Sequence, residues 1–492
     1  MFKSKDLTPA LFFSVFVSAF GSAFQHGYHT GVLNAPQELI EEWLRSMVNI
    51  TSTAEKEETN KHITFIFSLM VSIYCIGGMV GGMLTKFWLG VFGLKWGIFM
   101  NNFLVITSAA LMGFSHQQGS YVMFIVGRFL VGMNSGLNAG LIPMYLSEIA
   151  PVHLRGGVGS FYQLFLTIAI LIAQVVSTRE TLGREEKWPY LFAIPVIPSI
   201  MQVVLLPLCP DSPRHLMGMK KEEEAKKALE WFRHRHTPDV TKELDVLKAE
   251  IDAENKMKAI NIGEMFSNPL FRKPLAISCL MMIAQQLSGI NAVVFYSTST
   301  FKVARLDSQT AQVGTLLMGA MNVAMTIIST LTVDKAGRKT LLIIGFLLMF
   351  IDTILLCVCM RVALDYESVP AAYMSIVFLV MFVVFFAIGA GSIPWFLVNE
   401  LFLPRARTLA VSFAVPINWL ANFIVGISFP ILQNLVQSYI FLVFAAVQLL
   451  FLIYTIFAIP ETKNRNIADI ASQFGSLEGT GELPPAEQSP SQ

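Results

Sequence analysis

The stretch Gln285-Gln286-Leu287-Ser288-Gly289-Ile290-Asn291 lies inside an uncharged, mostly apolar run from about Pro274 to Thr300. A run of this length can cross a bilayer as a helix. Side-chain amides in hydrocarbon are costly unless they face a helix bundle, a partner helix or water. On a straight helix Gln286 and Asn291 would point about 140° apart, but Gly289 allows the helix to bend and bring the two amides together. The pattern fits two interpretations equally, namely hydrogen bonds between neighbouring helices and a binding site.

The composition is that of an integral membrane protein. Of the 492 residues, 54% are hydrophobic and only 14% are charged, whereas soluble domains carry about 25% charged residues. A net charge of +1 excludes nucleic-acid binding driven by bulk electrostatics. The five cysteines fall in or beside apolar runs, without the spacing of a disulfide framework or a metal site, which predicts buried packing residues.

The sequence contains no recognisable catalytic constellation. A nucleophile paired with a base, a phosphate-binding loop and a metal-ligand cluster are all missing from it, so we expect neither an enzyme nor a cofactor nor a bound metal. The glycine-rich stretch Gly77-Gly78-Met79-Val80-Gly81-Gly82 lies in an apolar run. That setting predicts close helix packing rather than nucleotide binding.

Windows of about 20 apolar residues recur twelve times along the chain. The first has no clear cleavage site and is too long for a signal peptide, so we expect it to remain as span one. A polar segment separates six spans from six, and its stretch from Glu222 to Arg235 has helical periodicity. The twelve predicted spans are residues 11–33, 63–86, 96–115, 121–146, 158–178, 188–209, 273–299, 311–333, 340–362, 373–399, 408–434 and 438–460.

Basic residues concentrate in the connections on one side of the predicted spans, which predicts that both termini are cytoplasmic. The first loop on the opposite side contains the sequon Asn49-Ile50-Thr51, which predicts N-glycosylation of Asn49. The tail from about Gly475 is rich in Gly, Pro, Ser and Glu, a composition typical of disorder.

Charged residues repeat between the two sets of six spans, at offsets of 252, 252 and 250 residues. We therefore expect two six-helix halves in parallel order, as in a transporter with a site between the halves; a duplicated structural protein is the alternative. The predicted divisions are an N-terminal half (1–209), cytoplasmic linker helices (210–270), a C-terminal half (271–462) and a tail (463–492). The repeated residues are Glu148, Arg155 and Asp211 in the first set and Glu400, Arg407 and Glu461 in the second.

These charges all lie at helix ends predicted to be cytoplasmic. One interpretation is surface charge of small energetic value. The other is a latch whose pairs form when the halves close on that side and break when they open. We favour the latch because the same charge pattern occurs twice at matched places.

Six motifs occur in order along the chain: GYHTGVLNAP at 27–36, GR at 127–128, PDSPR at 210–214, QQLSGIN at 285–291, DKAGRK at 334–339 and PETK at 460–463. They resemble the signatures of the sugar-porter family of the major facilitator superfamily, and of the animal facilitative glucose transporters in particular. The resemblance extends over nearly the whole chain. It implies an all-α membrane protein with twelve transmembrane helices in two halves. It also implies a plasma-membrane uniporter that moves a hexose down its gradient by alternating access.

The resemblance also implies roles for individual residues. A hexose presents a ring of hydroxyls, and neutral amides can both donate to them and accept from them without a charge to desolvate. The implied sugar-site residues are Gln163, Gln285, Gln286, Ile290, Asn291, Asn322, Phe386, Trp395, Asn418 and Trp419. The implied gate residues are Asn34, Tyr296, Ser297, Thr298, Gly389 and Pro394. The implied latch comprises Glu148, Arg155, Asp211, Arg214, Asp334, Arg338, Glu400, Arg407 and Glu461.

Some of these residues have a plainer interpretation. By itself, Trp395 is more typical of a lipid interface or of packing than of a sugar platform. Asn418 and Asn422, considered by themselves, would be expected to form hydrogen bonds between helices. Span ten nevertheless carries Gly389, Gly391 and Pro394, which predicts that spans seven and ten both break within the membrane, as helices do beside transporter sites.

Four positions depart from the typical glucose carriers. Ala387 replaces a Glu, and Met282-Ile283-Ala284 replaces Gln-Leu-Ser; both resemble the fructose-handling branch, whereas Trp395 and Asn418 resemble the glucose branch. The connection at 90–96 is short and lacks Gly-Arg-Arg, which predicts a weaker latch in the N-terminal half. His29 stands where proton-coupled porters carry Asp and many facilitative ones Asn, and we interpret it as a neutral, amide-like hydrogen-bonding residue.

We expect a hexose uniporter, with D-glucose favoured over fructose. Two rivals remain. A proton-coupled hexose symporter is disfavoured by the missing intramembrane Asp in span one, although His29 keeps it open. A sugar sensor without flux would be expected to carry a longer tail than the thirty or so residues that follow Glu461. The expected partners are a hexose and the lipid bilayer, without nucleic acid; the sequence leaves the oligomeric state open.

Overall fold

The computed structural model describes residues 8–47, 53–151, 154–233, 240–256, 260–332, 337–402, 404–463, 465, 470 and 472–475. Every regular element within these ranges is helical. Asn49 and Asp334, the predicted glycosylation site and one predicted latch residue, lie outside the described residues.

The first six spans are built from helices α1 to α8, several of which are interrupted. Span one consists of α1 and α2 joined by a five-residue π-helical segment, Phe16–Phe20. Span six begins and ends with short 3-10 turns around α8. The helices are α1 Pro9–Val15, α2 Gly21–Gly31, α3 Gln37–Ser46, α4 Thr53–Phe92, α5 Leu94–Ser115, α6 Tyr121–Ile149, α7 Arg155–Val176 and α8 Val196–Leu205.

The linker and the last six spans contribute helices α9 to α20. The linker helices are α9 Pro213–Gly218, α10 Glu222–Arg233, α11 Val240–Lys256 and α12 Ile262–Ser267. Those of the C-terminal half are α13 Pro269–Leu287, α14 Ile290–Val303, α15 Ser308–Thr332, α16 Arg338–Tyr366, α17 Val369–Ile388, α18 Ile393–Glu400, α19 Pro404–Val436 and α20 Ile440–Ala458.

Eleven helical segments of the described chain have the length and apolar composition needed to cross a membrane. The last of them, Ala406–Ala458, contains both α19 and α20, which meet at a single 3-10 turn, Gln437–Tyr439. Counting those two helices separately matches the twelve predicted spans. Helix α4 extends well beyond predicted span two at both ends, because an apolar window detects only the part of a helix that lies in hydrocarbon.

Both predicted helix breaks are present. Between α13 and α14, Gly289 adopts a left-handed conformation with φ of +102°, which favours glycine because it has no Cβ. Span ten is interrupted by Gly389 to Ser392, between α17 and α18. The two breaks leave backbone groups unpaired inside the membrane, and these groups need partners from other helices.

The glycine-rich face of α4 packs directly on α6, as predicted. A Cβ on Gly77 would lie 2.1 Å from the carbonyl oxygen of Phe129, and one on Gly132 would lie 2.1 Å from that of Tyr74. The two backbones are therefore in contact, as small residues permit between membrane helices. The halves meet where α4 packs against α19, α7 against α15 and α2 against α14.

A buried amide network joins spans one, three, four and six inside the N-terminal half. Gln25 Nε2 donates to Asn102 Oδ1 at 2.7 Å and to Ser199 Oγ at 2.9 Å. Asn101 Nδ2 donates to Asn138 Oδ1 at 2.8 Å, and Gln202, Asn134 and Ser22 complete the set. Since hydrogen bonds among buried amides fix helix positions relative to one another, this half is expected to move as one unit.

The linker helices pack on the helix ends predicted to be cytoplasmic. Helix α10 confirms the helical periodicity predicted from Glu222 onward. Arg233, at the end of α10, donates to the Ile149 carbonyl at 2.8 Å and pairs with Glu243 of α11 at 2.7 Å. These contacts attach the linker to the end of span four.

Candidate functional site

Gln286 is the hub of an amide cluster at the break in span seven. Asn291 Nδ2 donates to Gln286 Oε1, and Gln286 Nε2 donates to Asn418 Oδ1 at 3.0 Å. The turn at Gly289 brings Gln286 and Asn291 to the same side, which confirms the contact predicted from the sequence. Spans seven and eleven are thereby joined through neutral amides.

Gln285 connects this cluster to the break in span ten. Its Nε2 donates to the carbonyl oxygens of Ala390 at 2.8 Å and Gly391 at 2.7 Å. Asn418 Nδ2 donates to Gln285 Oε1 at 2.9 Å and to the Met282 carbonyl at 3.2 Å. One amide side chain therefore satisfies carbonyls that the interrupted helix has left without intrahelical partners.

The carbonyls near the break in span seven are also satisfied. Ser288 Oγ donates to the Gln285 carbonyl at 2.7 Å, and Gln448 Nε2, from span twelve, donates to the Ser288 carbonyl at 2.9 Å. Gln448 is fully buried. Its role was missed by sequence reasoning, because a single Gln in an apolar run carries no motif.

The remaining predicted sugar-site residues differ in how far they are buried. Ile290 and Trp419 are buried, while Phe386, Trp395 and Asn322 are half-buried. Gln163, in span five, is exposed. The side chains of Gln163 and Asn322 make no hydrogen bond to the described residues, so the structure does not join them to the amide cluster.

Asn34, a predicted gate residue, connects the two halves at the end of the bundle predicted to be exterior. Its Nδ2 donates to the Val294 carbonyl at 2.8 Å and to Ser297 Oγ at 2.7 Å, and its Oδ1 accepts from the Thr298 amide at 3.1 Å. Asn34 is 2% exposed, so these bonds are shielded from water. Spans one and seven are therefore in direct contact at this end.

An ionic contact lies beside these bonds. Glu38, on α3, pairs with Lys302 at the end of α14. It also contacts Arg179, which follows span five, at 3.4 Å. Because Glu38 and Lys302 belong to different halves, their ion pair reinforces the same contact, although its exposed setting limits its free energy to less than about 1 kcal/mol.

Tyr296, another predicted gate residue, interrupts α14 a second time. Its φ and ψ of −133° and 17° depart from helical values. Its hydroxyl donates to the Gly426 carbonyl at 2.8 Å, and its ring stacks on Phe429 at 5.6 Å. Tyr296 is therefore held against span eleven at a helix distortion.

Latch residues of the C-terminal half are in contact with one another. Arg338 Nη2 lies 3.2 Å from Glu400 Oε1, and Thr462 Oγ1 donates to Glu400 Oε2. Glu461 accepts from the backbone amides of Arg338 at 2.9 Å and Lys339 at 3.2 Å. The Glu461 carboxylate therefore caps the positive N-terminus of α16.

The N-terminal half repeats part of this arrangement. Ser212 Oγ donates to Glu148 Oε2, as Thr462 does to Glu400. Lys95 Nζ donates to the Pro207 carbonyl at 2.9 Å, as Lys339 Nζ donates to the Ile456 carbonyl at 2.7 Å.

The residue before Lys95 differs from its counterpart in the C-terminal half. Leu94 precedes Lys95 where Arg338 precedes Lys339, so the N-terminal arrangement lacks a guanidinium group.

The three other predicted latch arginines have different surroundings. Arg155 and Arg407 each have a buried Nε without a hydrogen-bond partner among the described residues. Arg214 contacts Glu250 of α11 at 3.1 Å.

A family profile described as "Sugar (and other) transporter" matches residues 14–474 of this chain. The chain belongs to this sugar transporter family. It is 40% identical to "Facilitated glucose transporter protein 1" of Caenorhabditis elegans over 477 residues, which cover 96% of this chain and 92% of that protein. It is 38% identical to "Solute carrier family 2, facilitated glucose transporter member 3" of Mus musculus over 479 residues, covering 97% and 95%.

The fold of this sugar transporter agrees with solved structures. The partially occluded inward-open conformation of the xylose transporter XylE from E. coli superposes with a TM-score of 0.78 at 24% identity, covering 93% of this chain and 100% of that one. This similarity confirms the predicted all-α major facilitator fold of twelve transmembrane helices. The chain is a transport protein and not an enzyme.

The His29 carbonyl of this transporter meets Arg128 near the ends of spans one and four that are predicted to be exterior. Arg128 is fully buried, and its guanidinium donates to the carbonyls of His29 at 2.9 Å, Met70 at 3.0 Å and Val71 at 3.3 Å. Neither ring nitrogen of His29 hydrogen-bonds to a described residue. The amide-like hydrogen bonding expected of His29 is therefore not made within the described protein.

Sequence reasoning also missed an aromatic group formed by residues from both halves of the transporter. His26 Nδ1 is hydrogen-bonded to the Tyr162 hydroxyl at 2.8 Å, and its ring stacks on Trp419 at 5.7 Å. Tyr74 approaches the same indole edge-on at 5.9 Å. The four residues come from spans one, two, five and eleven, so no local sequence signal could have grouped them.

Proposed function

We propose that this transporter is a facilitative hexose uniporter, with D-glucose as its most favoured substrate and fructose as a possible one. The observation that best supports this proposal is the cluster of Gln285, Gln286, Asn291 and Asn418. The connected side chains of the cluster are all neutral amides. Relatives named as facilitated glucose transporters, at 38–40% identity over nearly the full chain, support the same assignment.

The amide cluster supports sugar binding through its preorganisation. Asn418 is bonded to Gln285 and Gln286, and Gln285 is bonded to the span-ten carbonyls, so the orientation of each amide is set before a ligand arrives. Rigid groups lose little conformational entropy on binding. In this proposal Trp395 covers an apolar face of the sugar ring. Gln163 and Asn322 supply hydroxyl contacts from the opposite side.

Transport by alternating access would use two gates, one at each end of the bundle. The bonds of Asn34 to Ser297 and Thr298 hold the exterior side closed, which supports a conformation open towards the cytoplasm. The free Nε atoms of Arg155 and Arg407 fit this state, because the predicted latch pairs between the halves would then be broken. Binding of a hexose on the other side requires these two sets of contacts to exchange.

We propose that the latch is asymmetric. In the C-terminal half Arg338 links α16 to Glu400 through a charge-assisted contact. The matching position in the N-terminal half is the buried, apolar Leu94, so Glu148 retains its bond from Ser212 without a matching guanidinium. Charge-assisted hydrogen bonds are about twice as strong as neutral ones, so the C-terminal half contributes the larger share of this latch.

The predicted orientation of the spans also supports a cellular location for the protein. We propose a multi-pass protein of the plasma membrane with both termini in the cytoplasm and a glycan on Asn49, in the exterior loop. Asp334, predicted from its motif, belongs to the proposed cytoplasmic latch. The bilayer surrounds the spans, and the substrate is the one partner that this function requires.

The test is flux of labelled glucose into proteoliposomes of the purified full chain, with unlabelled fructose as competitor and with or without an imposed proton gradient. A uniporter gives equilibrating uptake and counterflow that are indifferent to the gradient. The fructose competition ranks the two hexoses. Sugar binding without any flux would refute transport and favour a sensor.

A proton-coupled hexose symporter is the second candidate, because His29 is an ionisable residue buried in span one beside Arg128. Accumulation of glucose above equilibrium in the same vesicles, driven by the proton gradient, would establish it. Under uniport, His29→Asn should leave the pH profile of uptake unchanged between about pH 5.5 and about pH 7.5. Loss of an existing pH dependence in His29→Asn would assign the coupling to this residue.

A further inference from the structure

Asp352 is an acidic residue in the middle of span nine. Helix α16 runs from Arg338 to Tyr366, so Asp352 stands fourteen residues from each end. Its side chain is 3% exposed, and the side chains about one turn away on the same face, Met349 and Leu356, are buried as well. The carboxyl therefore lies on an otherwise apolar helix face that points into the bundle.

The carboxyl is out of reach of water at either end of the helix. At a rise of 1.5 Å per residue, fourteen residues correspond to about 21 Å. Lys and Arg can extend their long side chains from within a membrane span to its surface, whereas the side chain of Asp is too short to do so. About four turns of helix on each side therefore screen Asp352 from the aqueous phase.

No basic residue of α16, which is described throughout, pairs with Asp352. Its Oδ2 is buried and makes no hydrogen bond to a described residue. The nearest basic residue of the helix is Arg361, nine residues away, which is about 14 Å along the axis. Arg361 pairs instead with Asp365, at 2.8 Å.

The elements that pack against α16 supply no counter-charge either. These are α17 and α20, together with the 3-10 turn Gln437–Tyr439. All three are described throughout, and none of them contains Lys, Arg, His, Asp or Glu. A phenol or a thiol is neutral at neutral pH, so neither balances a carboxylate. The phenols and thiols on these elements and on α16 are those of Tyr373, Tyr439, Tyr454, Cys357 and Cys359.

The buried polar group nearest in height on these elements is the amide of Gln448. The rings of Phe346 on α16 and Phe451 on α20 stack at 6.5 Å, which puts these two residues at one level. Asp352 stands six residues beyond Phe346 towards the predicted exterior, and Gln448 three residues beyond Phe451, so their heights differ by about one turn. Gln448 Nε2 is bonded to the Ser288 carbonyl, and its Oε1 has no partner among the described residues. That oxygen can accept from a protonated carboxyl but cannot donate to a carboxylate.

The helix that carries Asp352 also packs on one of the two predicted breaks. Seven residues before Asp352, and so on the same face of α16, is Gly345, where a Cβ would lie 2.9 Å from Gly389 Cα. Gly389 begins the break in span ten. The carboxyl is therefore about two turns from a segment that is expected to move during transport.

We propose that Asp352 is a proton-binding site, at which the packed spans nine, ten and twelve hold the carboxyl in its neutral form. Burying an unpaired carboxylate costs far more free energy than burying the neutral acid. In the unfolded chain an exposed Asp is ionised at neutral pH. Folding therefore takes up one proton at this residue, and the protein should become less stable as the pH rises. The alternative is an ionised Asp352 that is hydrated within the bundle. This inference does not depend on the substrate.

The first experiment is infrared spectroscopy of the purified full chain at neutral pH, in a detergent without carbonyl groups. A protonated carboxyl gives a C=O band that neither a carboxylate nor an amide gives. We expect this band in the wild type and a loss of its intensity in Asp352→Asn. Asp365→Asn is the matched control on the same helix, because the Asp365 side chain is 42% exposed and paired with Arg361, and it should keep the wild-type band. Equal bands in the wild type and in Asp352→Asn would overturn the proposal.

The second experiment follows unfolding of the same proteins across neutral and mildly alkaline pH. Each pH unit should raise the unfolding equilibrium constant of the wild type about tenfold relative to that of Asp352→Asn, because one proton is released on unfolding. The Tm of the wild type should fall accordingly against that of the variant, and a difference in Tm that stays constant with pH would overturn the proposal. Asp352→Leu, which also lacks the carboxyl and suits the apolar surroundings, replaces Asp352→Asn in both experiments if that variant does not fold.

Discussion

Asn34 of the N-terminal half donates a 2.7 Å hydrogen bond to Ser297 of the C-terminal half. Around this bond the same side chain accepts from the Thr298 amide and donates to the Val294 carbonyl. A single residue therefore ties span one to span seven at three points. The closure of this end depends on short-range, buried contacts rather than on the neighbouring surface ion pair.

Asn34→Ala should open the exterior gate. It removes three hydrogen bonds, each with a net value of about 0.5–1.5 kcal/mol, so the ratio of closed to open molecules should fall by about tenfold or more. Hydrogen exchange of α14 measures this, because the Thr298 amide loses its partner and should exchange faster. Gln37→Ala is the matched control, since among the described residues the Gln37 side chain bonds to Glu41 on its own helix. Equal exchange in the two variants would contradict the gate.

Gln286→Ala should lower glucose uptake by about 10- to 100-fold in kcat/KM, because it removes the bonds that Gln286 makes to Asn291 Nδ2 and to Asn418 Oδ1, and a buried polar atom without its partner costs about 1–3 kcal/mol. The control is Gln433→Ala. Gln433 is a buried amide of span eleven that donates to Thr300 Oγ1 at 3.2 Å, outside the cluster. Similar losses of uptake in both variants would mean that buried amides stabilise the bundle generally and do not form a site.

Gly289→Ala should destabilise the C-terminal half by about 1–3 kcal/mol, the usual cost of a left-handed conformation in a residue with a Cβ. The new methyl would also lie 2.9 Å from the Phe444 ring. Thermal unfolding of the purified protein gives the shift in Tm, and uptake gives the effect on transport. Gly113→Ala, on α5, adds a Cβ with no heavy atom of the described chain within 4 Å. The prediction fails if both variants unfold at the same temperature.

Arg338→Leu gives the C-terminal half the residue type that the N-terminal half has at the matching position, Leu94. It should reduce transport and destabilise the end of α16 by about 1.5–3 kcal/mol, the range for hydrogen bonds to charged groups. Lys61→Leu, on α4, is the control, because its 3.0 Å pair with Glu57 is exposed and four residues away, with an expected value of about 0.3–0.5 kcal/mol. If Arg338→Leu moves Tm and uptake no more than Lys61→Leu, the latch is surface charge.

Much of the architecture was readable from local patterns. The spacing of apolar runs predicted twelve spans, since each helix must cover the hydrocarbon thickness by itself. Gly289 and the Gly389–Pro394 stretch predicted the two breaks because glycine conformation is a local property. The contact between Gln286 and Asn291 followed from the same turn.

The latch stays a prediction, because the sequence named its residues without their partners. In this conformation the contacts described for Glu148, Glu400 and Arg338 are made within a half. Charge spacing shows which residues lie at a helix end. It does not show which of several nearby acids and bases are in contact in a given conformation, because those contacts change as the halves move.

By itself, the sequence determined the class of protein, the number of spans, the places where two of them break and the amides at one break. The tertiary structure alone decided which groups that are distant in sequence are in contact. Gln448 reaches the Ser288 carbonyl, and His26 meets Tyr162 and Trp419, over separations of more than one hundred residues in sequence. The reason is that helix formation depends on neighbouring residues, whereas a side chain inside a bundle takes its partner from whichever helix packs against it.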